Sequence, residues 1–336
     1  MLTYVFRKRL PGVFSIEKLF DTLYDRYTAD GMPVRRLELP HVSTGLVSVI
    51  KNCWYTAVHS RSSPVHITGD VHYAALFRPF ATTIITVHDC IALTRGSALQ
   101  RMVMRWLWFV VPLRLATVVT VISERTRSEV LAATSIAAAK VVVIPNFVDP
   151  SYRYEPRSFA TERPRILHVG TTPNKNLPRV IEALHDLNCV LVIVGLIPDE
   201  LRQRLDQGAT VYENWVAIDH AAMRGLYQTC DLVSFPSLFE GFGMPIVEGQ
   251  AVGRPILTSA LEPMQSVAGA DGALFVDPHS VASIRGGFLA LLGEPELRSR
   301  LVAAGLLNCR RFAFDSVASQ YRDLYRRLGV ESAPPI

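Results

Sequence analysis

Short apolar runs alternate with amphipathic helical segments along nearly the whole chain, and this alternation constrains the fold more than any other feature. Helices joining successive strands favour parallel sheets that are covered on both faces. Strands are predicted at residues 2–6, 34–39, 65–68, 82–87, 117–122, 140–144, 165–169, 190–194, 210–212, 231–235, 255–258 and 273–276. Helices are predicted at residues 15–27, 46–58, 99–115, 177–187, 198–206, 220–230, 244–252 and 314–328.

The chain of 336 residues is long enough for two such α/β domains, each with its own core. A hydrophobic fraction of 49% fits buried parallel strands and argues against disorder. Four prolines between residues 145 and 164 indicate a linker. We therefore predict an N-terminal Rossmann-like domain over residues 1–150, a C-terminal one over residues 165–313, and a last helix over residues 314–330.

The cysteines and the N-terminus favour a cytoplasmic protein. The five cysteines are scattered, odd in number and never form a C-x-x-C pair, which favours free thiols over disulfides or a zinc site. Met1 is followed within a few residues by Arg7-Lys8-Arg9, so no signal peptide is predicted. The most lipid-like run, residues 106–113, is too short to span a bilayer; a buried helix is expected there, with a membrane-surface role as the alternative.

Positive charge is concentrated in the first half of the chain. Residues 1–150 hold 17 Lys and Arg against 10 Asp and Glu, a net +7, whereas the remainder holds 18 against 20, a net −2, which together give the +5 of the whole chain. A basic half could face an anionic membrane or a phosphate-bearing acceptor, or it could simply be a solvated surface.

Residues 236–253, PSLFEGFGMPIVEGQAVG, combine two carboxylates with a glycine-rich loop and a predicted helix start. Gly241 and Gly243 let the backbone approach a ligand, and Pro245 suits the first helical turn. Glu240 and Glu248 would repel a phosphate, but they can accept hydrogen bonds from hydroxyl groups. This stretch therefore predicts a site for a sugar, a ribose, or both, as in a sugar nucleotide.

The pattern EGFG-x-P-x-x-E, with Glu240 and Glu248 as its carboxylates, resembles the signature of the retaining GT-B glycosyltransferases of family 4. The resemblance implies an α/β protein with two Rossmann-like domains facing a central crevice, and a last helix that crosses back to the first domain. It also implies that the C-terminal domain binds the nucleotide sugar and that the N-terminal domain binds the acceptor.

The same resemblance suggests roles for individual residues. Glu240 and the backbone of Gly241, Phe242 and Gly243 would hold the sugar hydroxyls. Glu248 would hold the ribose hydroxyls.

A second loop, residues 166–176, has the features of a diphosphate clamp. Gly170 permits close approach, Lys175 supplies a positive charge, and a helix start follows. The loop resembles the family's phosphate-binding loop, although Thr171 and Thr172 stand near the place where an arginine is often found. Lys175 alone would then stabilise the leaving diphosphate.

Further expectations concern residues outside these two loops. His88 follows a predicted strand and matches the family's donor-sugar histidine, with Asp89 orienting it, while Gly12 resembles a shortened N-terminal glycine loop. Ser123 is predicted to cap a helix. The cluster of His66, Asp70 and His72 is interpreted as a strand-end turn with a polar rim rather than a metal site, because the chain contains no Asp-x-Asp.

The sequence therefore predicts a retaining, metal-independent glycosyltransferase without a cofactor. It would move mannose or another hexose from a GDP- or UDP-sugar to a lipid-linked or oligosaccharide acceptor in polysaccharide or lipopolysaccharide assembly. Peripheral contact with the inner face of the membrane is expected through the basic N-terminal domain, and no nucleic acid is expected as a partner. The alternatives are a GT-B UDP-sugar epimerase and a non-catalytic sugar-nucleotide-binding scaffold. A dinucleotide oxidoreductase is disfavoured because no strand is followed by G-x-G-x-x-G.

Overall fold

The computed structural model describes residues 1–8, 15–61, 63–94 and 96–330. Gly12, which the sequence places in a glycine loop, lies outside the described residues. The chain divides into two compact units. The first contains Met1–Asn146 together with the C-terminal residues from Asp315 onward, and the second is Phe147–Phe314.

The first unit contains a six-stranded parallel sheet in the order β2-β1-β3-β4-β5-β6. Its strands are β1 (Leu2–Phe6), β2 (Val34–Glu38), β3 (Val65–Ile67), β4 (Thr83–Val87), β5 (Val118–Val121) and β6 (Val141–Val143). Its helices are α1 (Ser15–Ala29), α2 (Leu46–His59), α3 (Ala98–Met104), α4 (Val111–Leu115), α5 (Glu124–Thr134) and, at the end of the chain, α13 (Phe314–Arg327). A π-helical stretch, Arg105–Val110, joins α3 to α4.

The second unit repeats the architecture with the order β12-β11-β10-β7-β8-β9. Its strands are β7 (Arg165–Val169), β8 (Val190–Val194), β9 (Val211–Trp215), β10 (Leu232–Phe235), β11 (Ile256–Ser259) and β12 (Leu274–Val276). Its helices are α6 (Leu177–Ala183), α7 (Asp199–Gln207), α8 (His220–Thr229), α9 (Met244–Val252), α10 (Met264–Ala268), α11 (Val281–Gly293) and α12 (Pro295–Asn308).

Both predicted parallel sheets are confirmed, since every strand pair in the two units is parallel. Strands β1, β3, β4, β10 and β11 are buried along their whole length, which explains their unbroken apolar runs. Some boundaries differ from the prediction. The helix predicted over residues 177–187 ends at Ala183, and a turn with a positive φ of 66° at Asp186 follows it.

The last helix, α13, packs within the first unit through side chains that recur every three or four residues. Val317, Ala318, Tyr321, Leu324 and Tyr325 are buried. The Tyr325 hydroxyl lies 2.8 Å from the Tyr4 hydroxyl and 2.7 Å from His66 Nδ1. Nε2 of the same histidine lies 2.7 Å from Thr86 Oγ1. A buried chain of hydrogen bonds therefore ties α13 to β1, β3 and β4.

The polar rim expected at this turn is wrong for His66, whereas Asp70 and His72 both line a cavity of the first unit. His66 is fully buried and His72 is 3% exposed, and only Asp70 of the cluster faces solvent. Burial lowers the pKa of His66 to about 3 and that of His72 to about 4, so both imidazoles are neutral near pH 7. Their ring nitrogens bond inside the unit, to Tyr325 and Thr86 for His66 and to the Trp108 carbonyl for His72.

The segment predicted as a linker carries buried side chains at its start. Phe147, Val148 and Tyr152 are each less than 7% exposed. Val148 also forms an isolated parallel bridge with Ala313 inside the second unit. The first part of this segment is therefore packed against the unit that follows it.

The helical region predicted over residues 99–115 is present, but its beginning is exposed. Helix α3 contributes no buried residue, whereas Phe109, Val110, Pro112 and Leu113 further along are buried. Within the described part of the chain, no helix is both long enough and apolar enough to cross a membrane.

Candidate functional site

The loop that leaves β7 is shaped by two residues with positive φ. Gly170 has a φ of 97°, and a Cβ placed there would lie 2.9 Å from Cγ of Lys175. A short 3₁₀ turn, Pro173–Lys175, follows, and Asn176 with a φ of 65° leads into α6. The glycine thus lets the backbone pass directly beside the lysine side chain, which a larger residue would force to move.

Lys175 reaches across to the loop that leaves β10. Its Nζ lies 2.6 Å from Oε1 of Glu240, and the two side chains are only 20% and 12% exposed. The same Nζ lies 4.7 Å from the ring centroid of Phe235 at the end of β10. One cluster at the carboxyl edge of the second sheet therefore contains Gly170, Lys175 and Glu240. The first and last of these residues are 70 positions apart in the sequence.

Two asparagines that are not among the predicted site residues hold these loops together. Asn174 Nδ2 donates to the Phe239 carbonyl at 3.0 Å and to Glu240 Oε1 at 3.3 Å. Asn176 is 1% exposed, and its Nδ2 donates to the carbonyls of Pro236 and Pro278. The signal that could have found Asn176 is an asparagine directly before a helix, where a positive φ is tolerated.

Helix α9 begins at the glycine loop as the sequence predicts. Gly243 precedes its first turn with a φ of 111°, and the buried Pro245 occupies the first turn. Phe242 is 4% exposed and its ring centroid lies 5.4 Å from that of Phe312, so its side chain belongs to the interior. Only the backbone of Phe242 is available to a ligand, and the amide groups at this helix start favour a negatively charged group.

Glu248 lies one turn further along α9 and has its own partner. Its Oε2 accepts a hydrogen bond of 2.7 Å from the hydroxyl of Tyr227 on α8. Burial, and to a lesser degree the Glu248 charge, raises the pKa of Tyr227 well above its usual value, so this phenol stays protonated and acts as the donor. Tyr227 is not among the site residues predicted from the sequence.

His168 lies on β7 two residues before Gly170 and is fully buried. Neither of its ring nitrogens has a hydrogen-bonding partner among the described residues, and the hydroxyl of Ser234 opposite it on β10 is also unpaired there. Burial lowers the pKa of His168 to about 4, and the nearby Lys175 charge contributes in the same direction. His168 is therefore an uncharged side chain beneath the lysine loop.

His88 belongs to the first unit and is 9% exposed. Its Nε2 lies 2.8 Å from the Thr68 carbonyl, which can only accept, so Nε2 carries a proton. Asp89 was expected to orient this ring, but its Oδ1 instead accepts a hydrogen bond from the Ile91 backbone N–H. Ser123 caps α5 as predicted, by accepting from the Thr126 N–H.

A cavity of about 630 Å³ lies in the first unit beside His88. Arg7, Asp70, Asp89 and Trp108 are among the side chains that line it. Arg7 and Asp70 form an ion pair of 3.1 Å, so the cavity offers charged, polar and aromatic surfaces together. Over the residues that the structure describes, no three histidines, cysteines or acidic residues are grouped so that they could hold a metal ion.

The chain has two domains, each built on a six-stranded parallel sheet, and a lysine, a glutamate and a glycine-rich helix start lie at the edge of the second sheet. These features define a protein of the GT-B fold. Residues 18–152 match the profile of Glycosyltransferase Family 4, and residues 155–306 match that of Glycosyl transferases group 1. The chain belongs to family 4 of the glycosyltransferases, as its sequence motifs indicate.

Comparison with individual proteins agrees with this assignment. The O-antigen chain mannosyltransferase B of Escherichia coli is 26% identical over 238 residues, an alignment that covers 63% of this chain and 61% of that protein. The chain thus spans about three fifths of the length of this relative.

Solved structures match over nearly their whole length. Sucrose-phosphate synthase from Thermosynechococcus elongatus has a TM-score of 0.78 at 18% identity and covers 98% of both chains. Anabaena HepE in complex with UDP and glucose has a TM-score of 0.76 at 15% identity, covering 97% of this chain and 100% of that one. At these identities the likeness establishes the fold.

Proposed function

We propose that this protein is a retaining glycosyltransferase that transfers a hexose from a GDP- or UDP-sugar to a lipid-linked or oligosaccharide acceptor. The observation that carries the proposal is the cluster of Gly170, Lys175 and Glu240 at the carboxyl edge of the second sheet, next to the start of α9. Ligands of open α/β sheets bind at this edge. In this cluster Lys175 supplies a positive charge for a phosphate, and Glu240 supplies a carboxylate for hydroxyl groups.

Each part of the donor would contact the protein groups whose charge suits it. Lys175 and the amide groups at the start of α9 would face the diphosphate, since both carry positive potential. Glu240 would accept hydrogen bonds from sugar hydroxyls, while the backbone of residues 241–243 would contact the same sugar. Glu248, on the next turn of α9, would accept from the ribose hydroxyls.

During transfer, the bond between the anomeric carbon and the diphosphate oxygen breaks as the acceptor hydroxyl attacks from the same face. The leaving phosphate oxygen takes the acceptor proton, so retention requires no protein nucleophile. Negative charge grows on the diphosphate as the bond breaks, and Lys175 would stabilise it without a metal ion. Attack by Glu240 to form a covalent glycosyl intermediate is the alternative route.

The comparisons support mannose as the first sugar to test and O-antigen-like polysaccharide assembly as the setting, because the aligned E. coli relative is an O-antigen chain mannosyltransferase. The structural neighbour solved with UDP and glucose supports including UDP-sugars. We assign acceptor binding to the first unit, where the cavity beside His88 combines Trp108 with charged side chains. His88 is proposed to contact the donor sugar.

Peripheral membrane contact is part of the proposal and is supported by an exposed apolar stripe. Leu99, Met102, Val103 and Trp106 are each at least 42% exposed and recur at helical spacing, with Arg101 and Arg105 exposed between them. We expect co-sedimentation with vesicles containing anionic lipid, and loss of it in Leu99→Gln/Trp106→Gln but not in Leu289→Gln, an exposed leucine of the second unit. Equal binding by all three proteins would contradict the assignment.

The function is tested by incubating the protein with GDP- and UDP-sugars and measuring nucleotide release and the first-formed anomer of the freed sugar. We expect one donor to be cleaved with its anomeric configuration retained, and cleavage to fall at least tenfold in Glu248→Ala. An epimerase would convert a UDP-sugar into its epimer as a released product. A scaffold would raise the melting temperature with a nucleotide but cleave no donor.

A further inference from the structure

We propose that Tyr227 is a positioning residue of the donor site, which fixes the Glu248 carboxylate so that it can accept hydrogen bonds from a ribose. The inference rests on the proposed function, because it assumes that Glu248 faces the ribose of a nucleoside diphosphate. It adds a residue on a different helix that would set how strongly the site distinguishes ribose from deoxyribose.

A direct hydrogen bond joins the two side chains. The Tyr227 hydroxyl lies 2.7 Å from Oε2 of Glu248, and Tyr227 is fully buried while Glu248 is half-buried. A glutamate on a helix can turn about its terminal torsion, which has broad minima. A bond from a buried, immobile donor to one oxygen restricts that rotation and therefore fixes the direction of the other oxygen.

Tyr227 is itself held rigidly. Its ring packs edge-on against that of Tyr152, with centroids 5.4 Å apart. Its backbone carbonyl accepts a 3.0 Å hydrogen bond from Nε of Arg254, a side chain only 4% exposed. Nη2 of the same arginine donates to the carbonyl of Gln228, so the end of α8 is fixed to a residue two positions past the end of α9.

A positioning tyrosine differs from an ordinary buried tyrosine in which ligands its hydroxyl affects. A core tyrosine needs some acceptor for its hydroxyl, and Glu248 could serve only that purpose. In that case, removing the hydroxyl would weaken binding of all nucleotides alike or would affect only folding. A positioning role predicts a selective loss, confined to ligands that carry the hydroxyl groups which Glu248 accepts.

The experiment is calorimetric titration of the full chain with GDP and UDP and with their 2′-deoxy and 3′-deoxy counterparts. For the nucleotide that binds, we expect the wild type to prefer the ribose form over at least one deoxy form by about tenfold or more, the range of a hydrogen bond to a charged group. In Tyr227→Phe this preference should fall to about threefold or less, through weaker binding of the ribose form. The affinity for the deoxy form should hardly change.

Two further variants sharpen the test. Tyr152→Phe removes a hydroxyl from the same buried aromatic cluster but leaves the bond between Tyr227 and Glu248 in place, so it should retain the wild-type preference. Glu248→Gln combined with Tyr227→Phe should lose no more preference than Glu248→Gln alone, because the tyrosine acts through the glutamate. Melting temperatures would verify that each variant is folded.

Each outcome decides between the hypotheses. If Tyr227→Phe keeps the full preference for ribose, or weakens the ribose and deoxy forms equally, the positioning role is wrong although the donor site stands. If the wild type binds nucleotides without preferring ribose, the assignment of Glu248 fails and the role of Tyr227 fails with it. If the wild type binds neither GDP nor UDP, the proposed function itself is contradicted.

Discussion

Replacing Lys175 with methionine tests whether the lysine stabilises the diphosphate or serves only as the partner of Glu240. Methionine keeps most of the apolar stem that packs beside Gly170 and removes the charge. Two unit charges about 4 Å apart interact by about 4 kcal/mol at an effective dielectric constant of about 20. Because the Lys175 side chain is 20% exposed, water reduces this to about 2–4 kcal/mol.

This free energy corresponds to a loss of about 30- to 1,000-fold in kcat/KM for donor cleavage, at about 1.36 kcal/mol for each tenfold. The assay is steady-state nucleotide release from the donor that the wild type cleaves. Lys51→Met, at an exposed lysine of α2, is the matched control and should keep wild-type activity.

A second substitution separates the two roles of the pair. Glu240→Gln removes the negative charge that neutralises Lys175 at 2.6 Å, so it should bind nucleoside diphosphate as tightly as the wild type or more tightly, while donor cleavage falls. Lys175→Met should weaken the same binding. If both variants lower nucleotide affinity and stability equally, or if folded Lys175→Met retains activity within threefold, the pair is only structural and the reasoning is refuted.

The remaining predictions concern the loop, the last helix and the buried histidines. Gly170→Ala should weaken nucleotide binding about tenfold or more in calorimetry, because its Cβ would displace Lys175 at a φ of 97°; unchanged affinity would contradict the close approach. Tyr325→Phe leaves Tyr4 Oη and His66 Nδ1 unpaired, and it should lower the free energy of unfolding in urea by about 1–3 kcal/mol for each of these groups. The control Tyr212→Phe, at the surface of the second unit, should change that free energy little. The folded-state pKa is about 3 for His66 and about 4 for His72 and His168, below the value in the unfolded chain. The stabilising contribution of these neutral histidines is therefore complete above about pH 6.5. It is lost as the pH falls toward the folded-state pKa values, by up to about 1.4 kcal/mol per pH unit for each histidine. Urea unfolding at pH 7 and pH 5 measures this loss, and a His66→Gln variant with undiminished acid sensitivity would argue against the contribution of that residue.

The sequence predicts the sheets well because buried parallel strands need continuous apolar runs, as in β4 and β10. The start of α9 is predictable for a local reason. Gly243 permits a positive φ at its own position, and Pro245 restricts φ at its own. Such features require no knowledge of distant residues.

What the sequence does not reveal depends on partners far along the chain. Asn176 meets the Pro278 carbonyl 102 residues away, and Tyr227 meets Glu248 across 21 residues and two helices. The polar rim predicted at His66 fails for the same reason, because the hydroxyl that pairs with its Nδ1 belongs to Tyr325, 259 residues later. A histidine near the end of a strand is predicted to face solvent as long as its distant buried partner is unknown.

Hydrogen exchange with and without nucleotide tests the central claim most directly, because it locates the donor on the chain. With a saturating concentration of the GDP or UDP that binds, we expect the backbone amides of residues 170–176 and 240–249 to exchange at least several-fold more slowly. These two segments carry Gly170, Lys175, Glu240 and Glu248. Nucleotide binding that leaves both segments unprotected and protects another part of the chain would contradict the account.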